Sequence, residues 1–158
     1  MPVTKIIYYL NRIMFMWPSR KKILVVDDEP DITLTLVAIL QKSGYEVSPF
    51  NDPLMVLQSF KPHYYDLLII DIKMPMMNGF ELYRKLKERE SHVKVCFLTA
   101  VSEFRDYEQY KGDVSPKPHE RYFVAKPVSE GDLVRRVNDM IANNNNHRLK
   151  NTYSNTIC

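Results

Sequence analysis

Two hydrophobic runs, Ile23-Leu24-Val25-Val26 and Leu67-Leu68-Ile69-Ile70, pass without polar interruption straight into aspartate. A strand with one face in water alternates apolar and polar residues. A strand without that alternation has to be covered on both faces, which is the condition of a central strand in a parallel sheet. The first run ends in the doublet Asp27-Asp28 and the second in Asp71. If the runs are neighbouring parallel strands, three carboxylates converge at one sheet edge, where open α/β folds place their chemistry.

The remaining chain alternates in the same way. After a strand at 23–27, Pro30 opens a helix over about 31–42, with Ile32, Leu36, Ile39 and Leu40 on one face and Gly44 as its stop. Residues 46–50 read as a short strand, and Pro49 assigns it to a sheet edge. A helix over about 53–60 precedes Pro62, a strand covers about 66–71, and a helix runs from Gly79 to about Glu90. A strand from Val93 to Leu98 or Thr99 and another from Tyr122 to Ala125 come next. The last helix, about 129–142, carries Leu133, Val137 and Ile141. Between the last two strands, Ser102 to Tyr110 reads as a shortened fourth helix, and Gly112, Pro116 and Pro118 turn the chain beyond Tyr110 into a loop.

Five strands and about five helices make one doubly wound α/β domain, which 158 residues accommodate with no room for a second module. Its expected limits are 22–142, between an apolar and basic extension at 1–21 and a polar, Asn-rich tail at 143–158 expected to be disordered.

The formal charge of +3 conceals an asymmetry. Seven of the 22 bases lie outside residues 23–142, leaving 15 bases there against all 19 acids, a net charge of −4. The folded part should repel a polyanion, so direct DNA binding is not expected. Cys96 and Cys158 form neither a disulfide framework nor a metal-ligand spacing, and a reducing cytoplasm is expected. Residues 6–17 are apolar, but Asn11-Arg12 interrupts them and they are too short to span a bilayer. They read as a surface extension, as residues preceding a start at Met14 or Met16, or as an amphipathic segment for a partner; membrane contact through 6–17 is the last of these readings.

Three acids in one place need a counter-charge, because like charges ~4 Å apart repel by roughly 4 kcal/mol at an effective dielectric near 20. Oxygen donors with room for water favour Mg²⁺ over zinc or copper. A cation touching Asp71 would neutralise a phosphoryl group arriving on that carboxylate, with Asp71 as nucleophile. Two further residues close apolar strands at the same edge: Thr99 after Val95-Cys96-Phe97-Leu98, and Lys126 after Tyr122-Phe123-Val124-Ala125. A hydroxyl and a point positive charge suit the remaining phosphoryl oxygens.

With these residues in place, the chain over about 22–142 resembles the response-regulator receiver domain of two-component signalling. The resemblance rests on Asp27-Asp28 before Glu29-Pro30, Asp71 before Met74-Pro75 and Asn78-Gly79, Thr99-Ala100 and Lys126-Pro127, all in order. It implies a flavodoxin-like sheet of order 2-1-3-4-5 with helices on both faces. It further implies a single-domain response regulator that takes phosphate on Asp71 from a histidine kinase or phosphotransfer protein and signals to a downstream protein of unknown identity. Mg²⁺ would be held by Asp28, Asp71 and the Lys73 backbone carbonyl, with Asp27 acting through water. Thr99 and Lys126 would bind phosphoryl oxygens, Lys126 pairing with Asp71 beforehand, and Phe123 would take the aromatic switch position without a tyrosine hydroxyl. The family typically joins the lysine to its proline through a cis peptide. The stretch from Thr99 to Lys126 departs from the family by its length and by lacking an Ala-rich fourth helix.

Each residue also has a plainer reading. Asp27-Asp28 suits a helix start, Asp71 and Thr99 suit strand ends, and Lys126 suits a solvated loop. Met74, Met76 and Met77 shape a loop more readily than they bind copper, and His63, His92, His119 and His147 are scattered. Competing functions remain open here. A Mg²⁺-dependent aspartyl phosphatase would want an acid where Lys73 stands, and a receiver-like adaptor would act without phosphorylation. A nucleotide-binding domain lacks its glycine motifs in a chain with four glycines.

Overall fold

A computed structural model describes residues 19–100 and 123–153. Strands β1 (Lys22–Val26), β2 (Glu46–Phe50), β3 (Leu67–Asp71), β4 (Val95–Ala100) and β5 (Phe123–Lys126) form one sheet in the order β2-β1-β3-β4-β5. Every pairing is parallel. The described helices are α1 (Pro30–Lys42), α2 (Pro53–Ser59), α3 (Gly79–Arg89) and α4 (Glu130–Tyr153).

Alternate strand residues build two cores. Leu24, Val26, Leu68, Ile70, Val95 and Phe97 face Val56 of α2 and Phe80, Tyr83 and Leu86 of α3. Ile23, Val25, Leu67, Ile69, Cys96 and Leu98 face Leu36 and Leu40 of α1 and Leu133, Val137 and Met140 of α4. The uninterrupted apolar runs thus meet helices on both sides, which is why β3 is buried at every position. At the edge, β2 pairs with β1 alone, and Pro49 stands where an outward donor would invite another strand.

The helix ends obey their punctuation. Pro30 occupies the first turn of α1, and its far end closes in a Schellman arrangement: Tyr45 N–H donates to Leu40 O (3.1 Å) and Gly44 N–H to Gln41 O (3.0 Å), with Gly44 at φ 90°. Asp52 caps α2 by accepting from Leu54 N–H at 2.8 Å. Asn78 and Glu81 form a capping box at α3, with bonds of 2.9 and 3.2 Å.

Several boundaries differ from the sequence reading. Strand β1 spans Lys22–Val26 rather than 23–27, which leaves Asp27 just past its end. Strand β4 starts at Val95 rather than Val93, because Val93 N–H turns back toward Glu90 O (3.4 Å) and pairing with β3 begins at the Lys94 carbonyl. Strand β5 includes Lys126, which pairs with Ala100. The last helix continues to Tyr153, past its expected end at about 142. Asn is a weak helix former, but no Gly or Pro comes after Gly131 to stop the helix. The extension at 1–18, the shortened fourth helix and loop at 102–120, and the last five residues lie outside the described residues. Among the described residues no helix is long and apolar enough to cross a membrane.

Candidate functional site

Strands β1 and β3 are neighbours, and the strand order reverses there, so their carboxyl ends open on the crevice where α/β sheets bind ligands. Asp27 directly succeeds β1 and Asp71 ends β3; both are buried. Each makes the same local turn. Asp27 Oδ1 accepts the Glu29 N–H at 3.0 Å and Asp71 Oδ2 accepts the Lys73 N–H at 3.0 Å. One oxygen of each is thereby tied to its own loop, and the other is left to face across the site.

Lys126, ending β5, reaches both of these remaining oxygens: its Nζ lies 2.8 Å from Asp27 Oδ2 and 2.7 Å from Asp71 Oδ1. Its Nζ also stands 3.6 Å from Glu29 Oε1. The Lys126–Pro127 peptide is cis. Asp27 Oδ2 is buried and accepts no well-directed hydrogen bond, so charge rather than direction holds it to the ammonium. Asp27, Asp28 and Asp71 bring carboxylate oxygens within 4.8 Å of one another. This set of hard oxygen donors, one of them a buried oxygen short of partners, fits a small divalent cation such as Mg²⁺.

Burial raises the Asp71 carboxyl to about 6, and the Asp27 charge adds to the rise, while Lys126 and the Lys73 N–H pull against it. Burial by itself would lower the Lys126 ammonium; contact with Asp27 and Asp71 and their charges outweigh it, and the net shift is upward. The pair therefore meets as a carboxylate and an ammonium at neutral pH. Cys96 is a different case: its thiol is pushed up to about 12 by burial and has no part in the site.

The structure thus brings Asp27, Asp28, Asp71 and Lys126 together. Thr99 is buried near the end of β4, its hydroxyl donating to Ala100 O at 3.0 Å rather than to the acids. Phe123 sits in an aromatic stack, with ring centroids 5.6 Å from Phe97 and 6.5 Å from Phe80, and Lys73 has an exposed side chain beyond Asp71. Sequence reasoning missed the residues that hold Asp27 from behind. Asn51 Nδ2 donates to Asp27 O (2.7 Å) and Thr33 Oγ1 (2.8 Å), and Thr33 Oγ1 donates to Asp27 O (3.1 Å). These bonds pin the turn that aims Asp27, and only the position of Asn51 just after β2 hinted at them.

The family model described as response regulator receiver domain matches residues 23–138. The response regulator receiver protein CpdR of Brucella abortus is 30% identical over 121 residues, 77% of this chain and 97% of that protein. The sensor protein EvgS of Escherichia coli K12 is 39% identical over 92 residues, 58% of this chain but 8% of that protein, so the chain spans less than a tenth of this relative. Among solved structures, the Vibrio cholerae chemotaxis protein CheY4 superposes with a TM-score of 0.67 at 24% identity, over 77% of this chain and 99% of that one. A CheY-like receiver protein from Methanospirillum hungatei gives 0.68 at 24% identity, over 82% and 99%. At that identity the two structures establish the fold, and the family match extends the likeness to the sequence that carries the site. The chain belongs to the response regulator receiver domains, the phosphoacceptor signalling modules of two-component systems.

Proposed function

We propose that residues 22–142 form a stand-alone receiver that accepts a phosphoryl group on Asp71 from the phosphohistidine of a histidine kinase or phosphotransfer protein, in the cytoplasm. The observation that carries this reading is Lys126 Nζ held 2.7 Å from Asp71 and 2.8 Å from Asp27 at the carboxyl edge of the sheet. The CpdR match over 97% of that protein supports the stand-alone form.

An Asp71 oxygen attacks phosphorus, the P–N bond breaks, and its electron pair leaves on the imidazole, which departs neutral when its other nitrogen carries a proton. Being ionised at neutral pH, Asp71 needs no base. Asp28, Asp71 and the Lys73 carbonyl would hold Mg²⁺, with Asp27 beside them through water. That ion supplies charge neutralisation at the phosphoryl oxygens. Lys126 moves with the phosphate, Thr99 turns its hydroxyl from Ala100 toward a phosphoryl oxygen, and Phe123 moves with it to signal to a downstream protein. Water then hydrolyses the acyl phosphate and restores Asp71.

The test is intact mass after incubation with Mg²⁺ and phosphoramidate, on wild type and Asp71→Asn together. One added phosphate on wild type alone is the expected result. Equal incorporation in both proteins defeats the assignment, and if neither gains mass, beryllofluoride binding distinguishes rapid hydrolysis from an inert adaptor.

A further inference from the structure

One acid at the site has no part in the phosphoryl transfer itself. Glu29 is the N-cap residue of α1, yet its side chain makes no capping hydrogen bond. It leans to Lys126 instead, with Oε1 3.6 Å from Nζ. Its side chain is 63% exposed, whereas those of Asp27, Asp71 and Lys126 are 0%, 4% and 16% exposed. Glu29 is therefore the carboxylate that faces solvent on the ammonium, at the mouth of a cluster of four acids and one lysine.

Resting on the phosphoacceptor reading, we propose that Glu29 is a specificity-determining residue that disfavours small free phosphoryl anions as donors. In the reaction with acetyl phosphate, an Asp71 oxygen bonds to phosphorus, the bond from phosphorus to the acetyl oxygen breaks, and acetate leaves with the electron pair. No proton or redox partner is needed. The donor's approach is the costly part, because a dianion must pass an exposed negative charge before the lysine and a bound cation can hold it. A phosphohistidine borne on a protein arrives with a docking surface, so this one term is a small share of its encounter. For a dianion ~6 Å from an exposed carboxylate, Coulomb's law in a water-like dielectric with partial salt screening gives roughly a 5-fold effect on rate at low ionic strength, and about 2-fold for a monoanion.

The experiment compares wild type, Glu29→Gln and Glu29→Asp at saturating Mg²⁺, measuring initial phosphorylation rates with acetyl phosphate, a dianion at neutral pH, and phosphoramidate, a monoanion. Mg²⁺ affinity is determined separately by calorimetry in each protein, so that occupancy is matched; as a doubly charged ion it is expected to bind up to roughly 5-fold more weakly to Glu29→Gln. The charge-neutral variant should gain roughly 5-fold with acetyl phosphate and about 2-fold with phosphoramidate, both gains collapsing in high salt, while Glu29→Asp stays near wild type. An equal change with both donors overturns the proposal in favour of a role in positioning Lys126. No change, or a slowing, overturns it outright. If wild type takes phosphate from neither donor and binds no beryllofluoride, the phosphoacceptor reading falls and takes this one with it.

Discussion

Asp71 lies between a lysine and a second aspartate, and burial, aided by the Asp27 charge, outweighs the pull of Lys126: its carboxyl stands at about 6 against an ordinary 3.8. The native state therefore binds a proton at Asp71 more readily than the unfolded chain between 3.8 and about 6. Stability from this group is full below that window and declines as pH rises through it, so at neutral pH the ionised carboxylate is a net cost in the absence of a cation. Asp71→Asn, neutral at every pH, should melt a few degrees higher than wild type at pH 7 in chelator-treated buffer. The gap should close as the buffer is taken down toward pH 4. Melting curves across that range settle it; a variant less stable than wild type at neutral pH would show that the Lys126 contact outweighs burial. Of the residues around Asp71, the acids and the lysine were legible because each ends an apolar run. Glu29 was not, because an acid after an acidic doublet at a helix start reads as ordinary dipole compensation. Nor was Asn51, whose bond to the Asp27 carbonyl depends on how β2 ends beside β1.

Helix α3 carries the tightest element-level constraint. A Cβ at Gly79 would lie 2.3 Å from the Asp71 carbonyl oxygen and 2.9 Å from Ile70 Cγ2, so α3 begins where backbone presses on backbone. Its Gly79 N–H also donates to Ile72 O at 2.8 Å. Gly79→Ala must push the helix off the loop that aims Asp71, at a cost of about 2–4 kcal/mol. Asn78→Ala removes only a capping bond, at about 1 kcal/mol. Denaturant titration of both variants should rank them in that order; the reverse order would mean that the loop yields easily. The elements themselves were readable for physical reasons. Strands of unbroken apolar residues cannot be exposed, Pro30 and Pro53 suit the first turn of a helix, and Gly44 takes the positive φ that ends one. The end of α4 differs from the sequence reading because four asparagines look like a linker, whereas Asn only lowers helix propensity and no Gly or Pro follows Gly131 to stop the helix. Val93 reads as part of β4 in the sequence because burial and apolarity do not reveal that its N–H turns back on the preceding helix.

At the scale of the whole molecule, two cores on opposite faces of one sheet hold a crowded negative site at its edge, and folding is coupled to whatever relieves that crowding. A cation that binds only the native state at about 100 times its dissociation constant adds about 2.7 kcal/mol. Mg²⁺ should therefore raise the melting temperature of wild type in a saturable way, and Asp28→Asn should lose most of the rise. An equal rise in Asp28→Asn would place the ion elsewhere. At the same scale, we propose that the folded unit ends near residue 142. The face that receives α4 is filled by Leu133, Val137 and Met140, with Ile141 packed against it, and all of these precede residue 143. A helix that continues to Tyr153 adds backbone hydrogen bonds within itself, and an isolated helical stretch of this length is marginal in water. Deleting residues 143–158 should then leave the melting temperature within about 3 °C of the full chain, because Leu133, Val137, Met140 and Ile141 are all kept. A drop of more than about 8 °C would mean that the segment docks on the domain, and would move the boundary of the folded unit beyond residue 142.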